Sequence, residues 1–311
     1  MTTARAQRLM GLSILAAVLN LVLKGAAYHV TGSVGLLADA GESIINLVAA
    51  LAGLVSLRYA ARPVDESHTY GHEKIEYFSG GLEGMLILLA AGGISFYAIR
   101  RLFAPEPLES LHIGTAFTLL ATLINLGVGR LLVRTGRQMR SIALEADGHH
   151  LMTDVYTSVA VLFGIGMVWL TGYSWLDPVI ALLVAAHIGW MAIGLIHRSF
   201  DGLMDRALPA EDQARVRAAI EGLLAPGMDY HALRTRRAGR RRFADFHLLV
   251  PGVFTVRRAH EITERIEEAI RAALPDMEVT VHIEPIEERA AWEDSALLPL
   301  EQAARQARGE G

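Results

Sequence analysis

Residues 147–171 read DGHHLMTDVYTSVAVLFGIGMVWLT. An aspartate, two histidines and a second aspartate open a run that is otherwise almost wholly apolar. The run exceeds the roughly 20 residues that an α-helix needs to cross about 30 Å of hydrocarbon. On such a helix Asp147, His150 and Asp154 stand at i, i+3 and i+7, which stacks them on one face. Ionisable side chains inside a membrane helix are costly and mark an ion pathway. His149 is turned about 100° away from His150 and is not expected to join that face.

The same spacing recurs upstream. Asp39-Ala-Gly-Glu42-Ser-Ile-Ile-Asn46 lies within the apolar segment 34–57. Four further segments have spanning length: 9–30, 77–99, 112–133 and 176–196. With 148–171 this predicts six transmembrane helices. The first segment lacks a clear small-residue cleavage site and runs straight into the second, so it reads as a helix and not as a cleaved signal.

Composition agrees. The chain has 311 residues, of which 52% are hydrophobic, and the apolar ones fall in long blocks, which excludes a single soluble globule. The formal net charge of −4 gives no basic surface for nucleic acid. There are no cysteines, so disulfides, thiolate metal sites and thiol catalysis are excluded. Any metal site must use nitrogen and oxygen ligands.

Basic residues orient the helices. Arg5, Arg8, Arg58, Arg62, Lys74, Arg130, Arg134, Arg137 and Arg140 fall on one side, and Arg100 and Arg101 on the other. Both termini are therefore expected in the cytoplasm, in a multi-pass protein of the inner (plasma) membrane.

Beyond Phe200 the composition changes. A helix is expected over 210–223, strands over 231–239 and 241–250 joined by a tight turn, an amphipathic helix over 255–274, and a last strand over 277–284. The order is αββαβ, a small α+β domain. The expected division is a transport domain over 1–204, a second domain over 205–290 and a charged tail over 291–311.

Three groups of residues have metal-ligand character. Glu42, Asn46, His150 and Asp154 supply carboxylates, an amide oxygen and an imidazole, a four-ligand shell for a divalent ion. Asp65, His68 and His72 repeat the i, i+3, i+7 spacing in the polar connection after segment two. His231, His247, His260 and His282 bring four of the twelve histidines into the small domain, and Glu284 shares a strand face with His282. Asp39 and Asp147, one turn before the first group, read as supporting or pathway residues. His29, His112, His187 and His197 stand alone and read as structural.

Together these residues resemble the cation diffusion facilitator family of divalent-metal transporters. The resemblance covers about residues 8–285. Its specific parts are Ser33-Val-Gly-Leu-Leu-Ala-Asp39, Tyr70-Gly-His72-Glu-Lys74, Ala146-Asp147-Gly-His-His150-Leu-Met-Thr-Asp154, Leu203-Met-Asp205-Arg-Ala-Leu-Pro and Val281-His282-Ile-Glu284-Pro. It implies six transmembrane helices followed by a cytoplasmic, ferredoxin-like domain, and a homodimer in the lipid bilayer. It also implies a divalent cation, zinc first with iron, manganese, cobalt and cadmium open, exported in exchange for protons without a prosthetic group. The family's transport ligands match fully at His150 and Asp154. They match only by position at Glu42 and Asn46, where a His or Asp and then an Asp are usual. Asp65, His68 and His72 resemble a second family site. His231, His247, His260, His282 and Glu284 fall where the family carries metal ligands that sense and dimerise. Lys74 and Asp205 resemble a charge pair tying the two domains together.

Two other readings compete. A membrane metalloenzyme is disfavoured because the chain has no His-Glu-x-x-His and no recognisable Ser-His pairing. A membrane metal sensor or scaffold that no longer transports would account for the neutral Asn46. Flux driven by a pH gradient separates a transporter from a sensor.

Overall fold

The computed structural model describes residues 2–31, 34–103, 114–173 and 175–292. The chain divides into two units, Met1–Leu203 and Met204–Gly311.

The first unit is built from six long helices: α1 Thr2–Thr31, α2 Val34–Ala60, α3 Ile75–Phe103, α4 Gly114–Met139, α5 Ile142–Thr171 and α6 Leu176–Leu203. Five of the expected apolar segments fall within one of them, and the sixth, 112–133, does so from Gly114 on, its first two residues lying outside the described ones. Among the described residues four helical stretches are long and apolar enough to cross a membrane: Ala4–Ala26, Ile75–Phe103, Leu119–Met139 and Pro178–Leu203. The helices carrying the polar columns, α2 and α5, are not among those four.

Helix α3 packs chiefly on α6, α4 on α5, and α1 on α2. The α4–α5 seam depends on glycine. A Cβ at Gly148 would lie 2.6 Å from the backbone nitrogen of Val133, and one at Gly136 would lie 2.6 Å from that of Glu145. Larger residues at either position would force the two helices apart. One apolar cluster gathers Tyr77, Ile87, Ile142, Ile188 and Leu195 of α3, α5 and α6. Another gathers Met10, Leu57, Leu132, Leu144 and Leu151 of α1, α2, α4 and α5.

The second unit runs α7 Ala210–Glu221, β1 Asp229–Ala238, β2 Arg241–Val250, α8 Val256–Ala273, β3 Met277–Pro285 and a 3-10 turn Arg289–Trp292. The order αββαβ is as expected. Strands β1 and β2 pair antiparallel through a turn at Gly239, whose φ of 55° suits glycine, and β3 pairs parallel to β2. Thr255 caps α8 by accepting the Arg258 amide. Val216, Ile220, Phe246, Leu248, Val250, Ile262, Ile266, Ile270 and Val279 form the core between the helices and one sheet face. The other sheet face carries the histidines. Residues 293–311, most of the expected tail, lie outside the described residues.

Candidate metal centres

Helix α2 and α5 meet at their polar columns. Asn46 Nδ2 donates to Asp154 Oδ2 at 2.7 Å, and Asn46 Oδ1 lies 2.5 Å from His150 Nε2. Because the amide oxygen can only accept, Nε2 of His150 carries the hydrogen. All three side chains are buried. The side chains of Asp39 and Glu42, on the same helix, lie outside the described residues.

Two asparagines that the sequence reading passed over complete this network. Asn125 on α4 donates to Asp154 Oδ2 at 2.9 Å, and Asn20 on α1 donates to Asn125 Oδ1 at 2.5 Å. Four helices thus converge on one carboxylate. Each of these asparagines is a lone amide in an apolar run. The signal available in the sequence was their cost in a membrane helix.

His149 does not join the site, as its angular position implied. It stands 3.5 Å from Glu145, which also takes Arg137 at 3.0 Å and Arg198 at 2.8 Å.

Asp65, His68 and His72 come together by a different route from the helical spacing that suggested them. Residues 61–74 are not helical. Asp65 Oδ1 accepts the backbone N–H of Ser67 at 3.0 Å and of His68 at 2.7 Å, an Asx-type turn that folds His68 back. His68 Nδ1 and His72 Nε2 each lie 3.1 Å from the Asp65 carboxylate. Donation by the Ser67 hydroxyl, then by the His68 backbone and ring, holds Asp65 down at about 2. His72 is buried against the Tyr59 ring, 4.8 Å away, whereas Asp65 and His68 are exposed. One ligand atom from each of the three lies within 4.8 Å of the others.

In the second unit, His231, His247 and His282 occupy one rung across the three strands. His231 is the cross-strand partner of His247, and His247 of His282. Glu284 sits at their centre: its carboxylate is 3.1 Å from His231 Nε2, 3.2 Å from His247 Nδ1 and 3.3 Å from His282 Nε2. The set His231, His247 and Glu284 has metal-ligand spacing. Trp292 stacks on the His231 ring, with centroids 6.0 Å apart. His260 is not brought to the rung. It lies on α8, beyond the apolar core, and pairs with Glu264 at 3.4 Å.

Lys74 and Asp205 belong to different units. Asp205 faces Arg236 of β1 at 3.4 Å.

Comparison with known proteins gives a consistent result. Residues 10–204 match the cation efflux transmembrane domain, and residues 208–286 match the cytoplasmic domain of cation efflux proteins. An uncharacterized transporter of Synechocystis sp. is 43% identical over 299 residues, 96% of each chain. The cation-efflux pump FieF of Shewanella oneidensis is 32% identical over 276 residues, 88% of this chain and 92% of the pump. Among solved structures, the metal-bound C-terminal domain of the CzcD transporter from Thermotoga maritima is 28% identical, with a TM-score of 0.23, covering 26% of this chain and 99% of that one.

Proposed function

This chain belongs to the cation diffusion facilitator family of cation efflux transporters, and from that premise we propose that it exports a divalent metal ion, zinc first, from the cytoplasm in exchange for protons. In this reading all six helices cross the inner membrane, both termini face the cytoplasm, and two copies form a homodimer. Residues 1–204 carry the transport and 205–290 sense metal and dimerise.

The observation that carries the reading is the bridge His150–Asn46–Asp154. Three ligand-type side chains meet, buried, where α2 and α5 meet. Glu42 adds the fourth ligand, one turn from Asn46 on the helix. A cation that enters must take Nε2 of His150 from its hydrogen and Asp154 from its amide donors. Metal binding is thus an exchange against protons and hydrogen bonds. Among these ligands only the imidazole has an ordinary pKa near neutrality, about 6.5, so it suits proton-for-metal exchange. Asn46 keeps the shell at formal charge −2 with Glu42 and Asp154 ionised, which matches a divalent ion.

The clusters at Asp65 and at Glu284 are read as regulatory or staging sites for the same ions, since each holds two imidazoles with a carboxylate. His260 takes no part in the Glu284 cluster within one chain.

Purified protein in proteoliposomes loaded with a metal-sensitive dye tests the proposal. Zinc flux that rises with an imposed pH gradient, and is lost in His150→Ala and Asp154→Ala, is expected. Metal-dependent stabilisation with no flux would overturn it in favour of a sensor.

A further inference from the structure

A groove of about 1240 Å³ runs along the helix bundle between α4 and α6, with α5 as its floor. Met152, Val155 and Ala160 make the buried part of that floor. Leu183 and Trp190 of α6 form one wall and are 68% and 73% exposed. From His149 to Phe163 the lining follows α5 for about 21 Å. Met152 and Val159 stand about 200° and about 180° around α5 from His150. The groove therefore lies on the back of the helix whose front carries His150 and Asp154, and it is not a route to them.

One end of the groove is basic. Arg130, Arg134 and Arg137 of α4 line it at i, i+4 and i+7, on one helix face. Among the described lining residues there is no carboxylate. Arg137 is engaged by Glu145 at 3.0 Å. Among the described residues Arg130 and Arg134 have no ion-pair partner. Both lie inside the apolar stretch Leu119–Met139, about 14 Å and about 8 Å before its end. A guanidinium at such a depth is costly unless it reaches the interface or meets an anion. Its planar fork suits a phosphate.

The two parts of the groove fit one kind of occupant. A free phosphate would use only the arginines. A neutral lipid or an apolar helix would use only the walls and leave the arginines unmatched. A phospholipid with an anionic headgroup uses both. One leaflet of hydrocarbon is about 15 Å deep, so an acyl chain hanging from Arg130 and Arg134 fits within the groove's length. In the orientation proposed above these arginines face the cytoplasmic leaflet, where basic pockets between membrane helices receive anionic headgroups.

We propose that the α4–α5–α6 groove is a binding site for an anionic glycerophospholipid, with its phosphate on Arg130 and Arg134 and one acyl chain along Val155, Val159, Leu183 and Trp190. The site goes beyond metal export and uses none of the metal ligands. Its occupant lies against the helix that bears His150 and Asp154.

Full-length protein in neutral detergent, free of metal, is titrated with phosphatidylglycerol while its melting temperature is followed. The parent is expected to gain about 3 °C or more near saturation, and to gain nothing from phosphatidylcholine. Arg130→Gln with Arg134→Gln should remove most of the gain, and Arg130→Lys with Arg134→Lys should keep it, since the charges remain. Val159→Trp, at a position 52% exposed, fills the groove and should also remove the gain. Arg100→Gln with Arg101→Gln, the same charge change outside the groove, should leave it. An equal gain from phosphatidylcholine would overturn the proposal by showing an apolar groove that ignores the headgroup. An equal gain from glycerol phosphate would make it a site for soluble anions. A gain that survives the glutamine pair, or is lost equally in the Arg100 and Arg101 pair, would reduce the effect to overall charge. A parent dimer that becomes monomeric in the glutamine pair would make this face an interface between copies. Each of these outcomes ends the lipid assignment and, with no metal in the assay, leaves the transport reading untouched.

Discussion

The amide oxygen of Asn46 lies 2.5 Å from Nε2 of His150, so the imidazole nitrogen that faces α2 is the protonated one. The amide nitrogen of the same residue holds Asp154. One neutral side chain therefore engages both of the proposed ligands on α5.

Removing either of those ligands leaves a cation with an incomplete shell. His150→Ala and Asp154→Ala are expected to lower zinc flux in proteoliposomes by about 100-fold or more, more than a supporting residue costs. Glu42→Ala should be as severe. Asn46→Ala should be milder, because water replaces a neutral amide oxygen more readily than an anion. Parent-like flux in the His150 or Asp154 variant would remove the assignment.

Asn46→Asp places an acceptor where an amide now donates to Asp154 at 2.7 Å. Two carboxylates at that range share a proton. The variant should remain active, bind zinc more tightly and release about one more proton per zinc than the parent. Equal proton release in the two proteins would contradict this.

Proton coupling has a defined sign. A metal and a proton compete for the His150 ring, so acid on the far side promotes metal release there and alkaline cytoplasm promotes loading. Export should accelerate with an inward proton gradient and slow when a protonophore collapses it. Flux indifferent to external pH between about 5.5 and 8 would exclude imidazole exchange.

In the exposed turn of residues 65–68, Asp65 titrates at about 2 instead of the usual 3.8, chiefly through the Ser67 hydroxyl. A depressed folded pKa means that the turn is fully supported above about 3.9 and loses that support as pH falls toward about 2. Metal binding at Asp65, His68 and His72 should therefore weaken with acid only through the imidazoles. Carboxyl-detected NMR should give an Asp65 midpoint near 2; a midpoint near the usual value would show that the turn does not persist in solution.

Zinc should stabilise the second unit. A ligand at 100 times its dissociation constant contributes about 2.7 kcal/mol, enough to raise the melting temperature of a small domain by several degrees. His247→Ala or Glu284→Ala should abolish that shift, and His260→Ala should leave it in place for a single chain. Calorimetry of residues 204–292 with and without zinc checks both.

The six apolar segments were legible because period and length suffice to find a membrane helix, and α2 and α5 announced themselves by a repeated spacing. The αββαβ order followed from alternation in β2 and β3. The rung His231–His247–His282 was only partly legible. Sequence gives each strand's faces but not the register that aligns three strands, and it gives His260 no address across the sheet. Asn20 and Asn125 were missed for a common reason. Each stands alone in its own helix, and only packing reveals that four helices bring their lone polar groups together. At Asp65 the three residues meet by another route than the spacing suggested: a turn, and no helix, brings them together.

The stacking of Trp292 on His231 has a photophysical consequence. The other tryptophans, Trp169, Trp175 and Trp190, all precede Met204, so the second unit contains a single indole, and it lies against the histidine rung. An excited indole passes an electron to a protonated imidazole far more readily than to a neutral or coordinated one. Emission from this unit therefore reports the occupancy of one ring, without a label and without disturbing the surface that would be labelled.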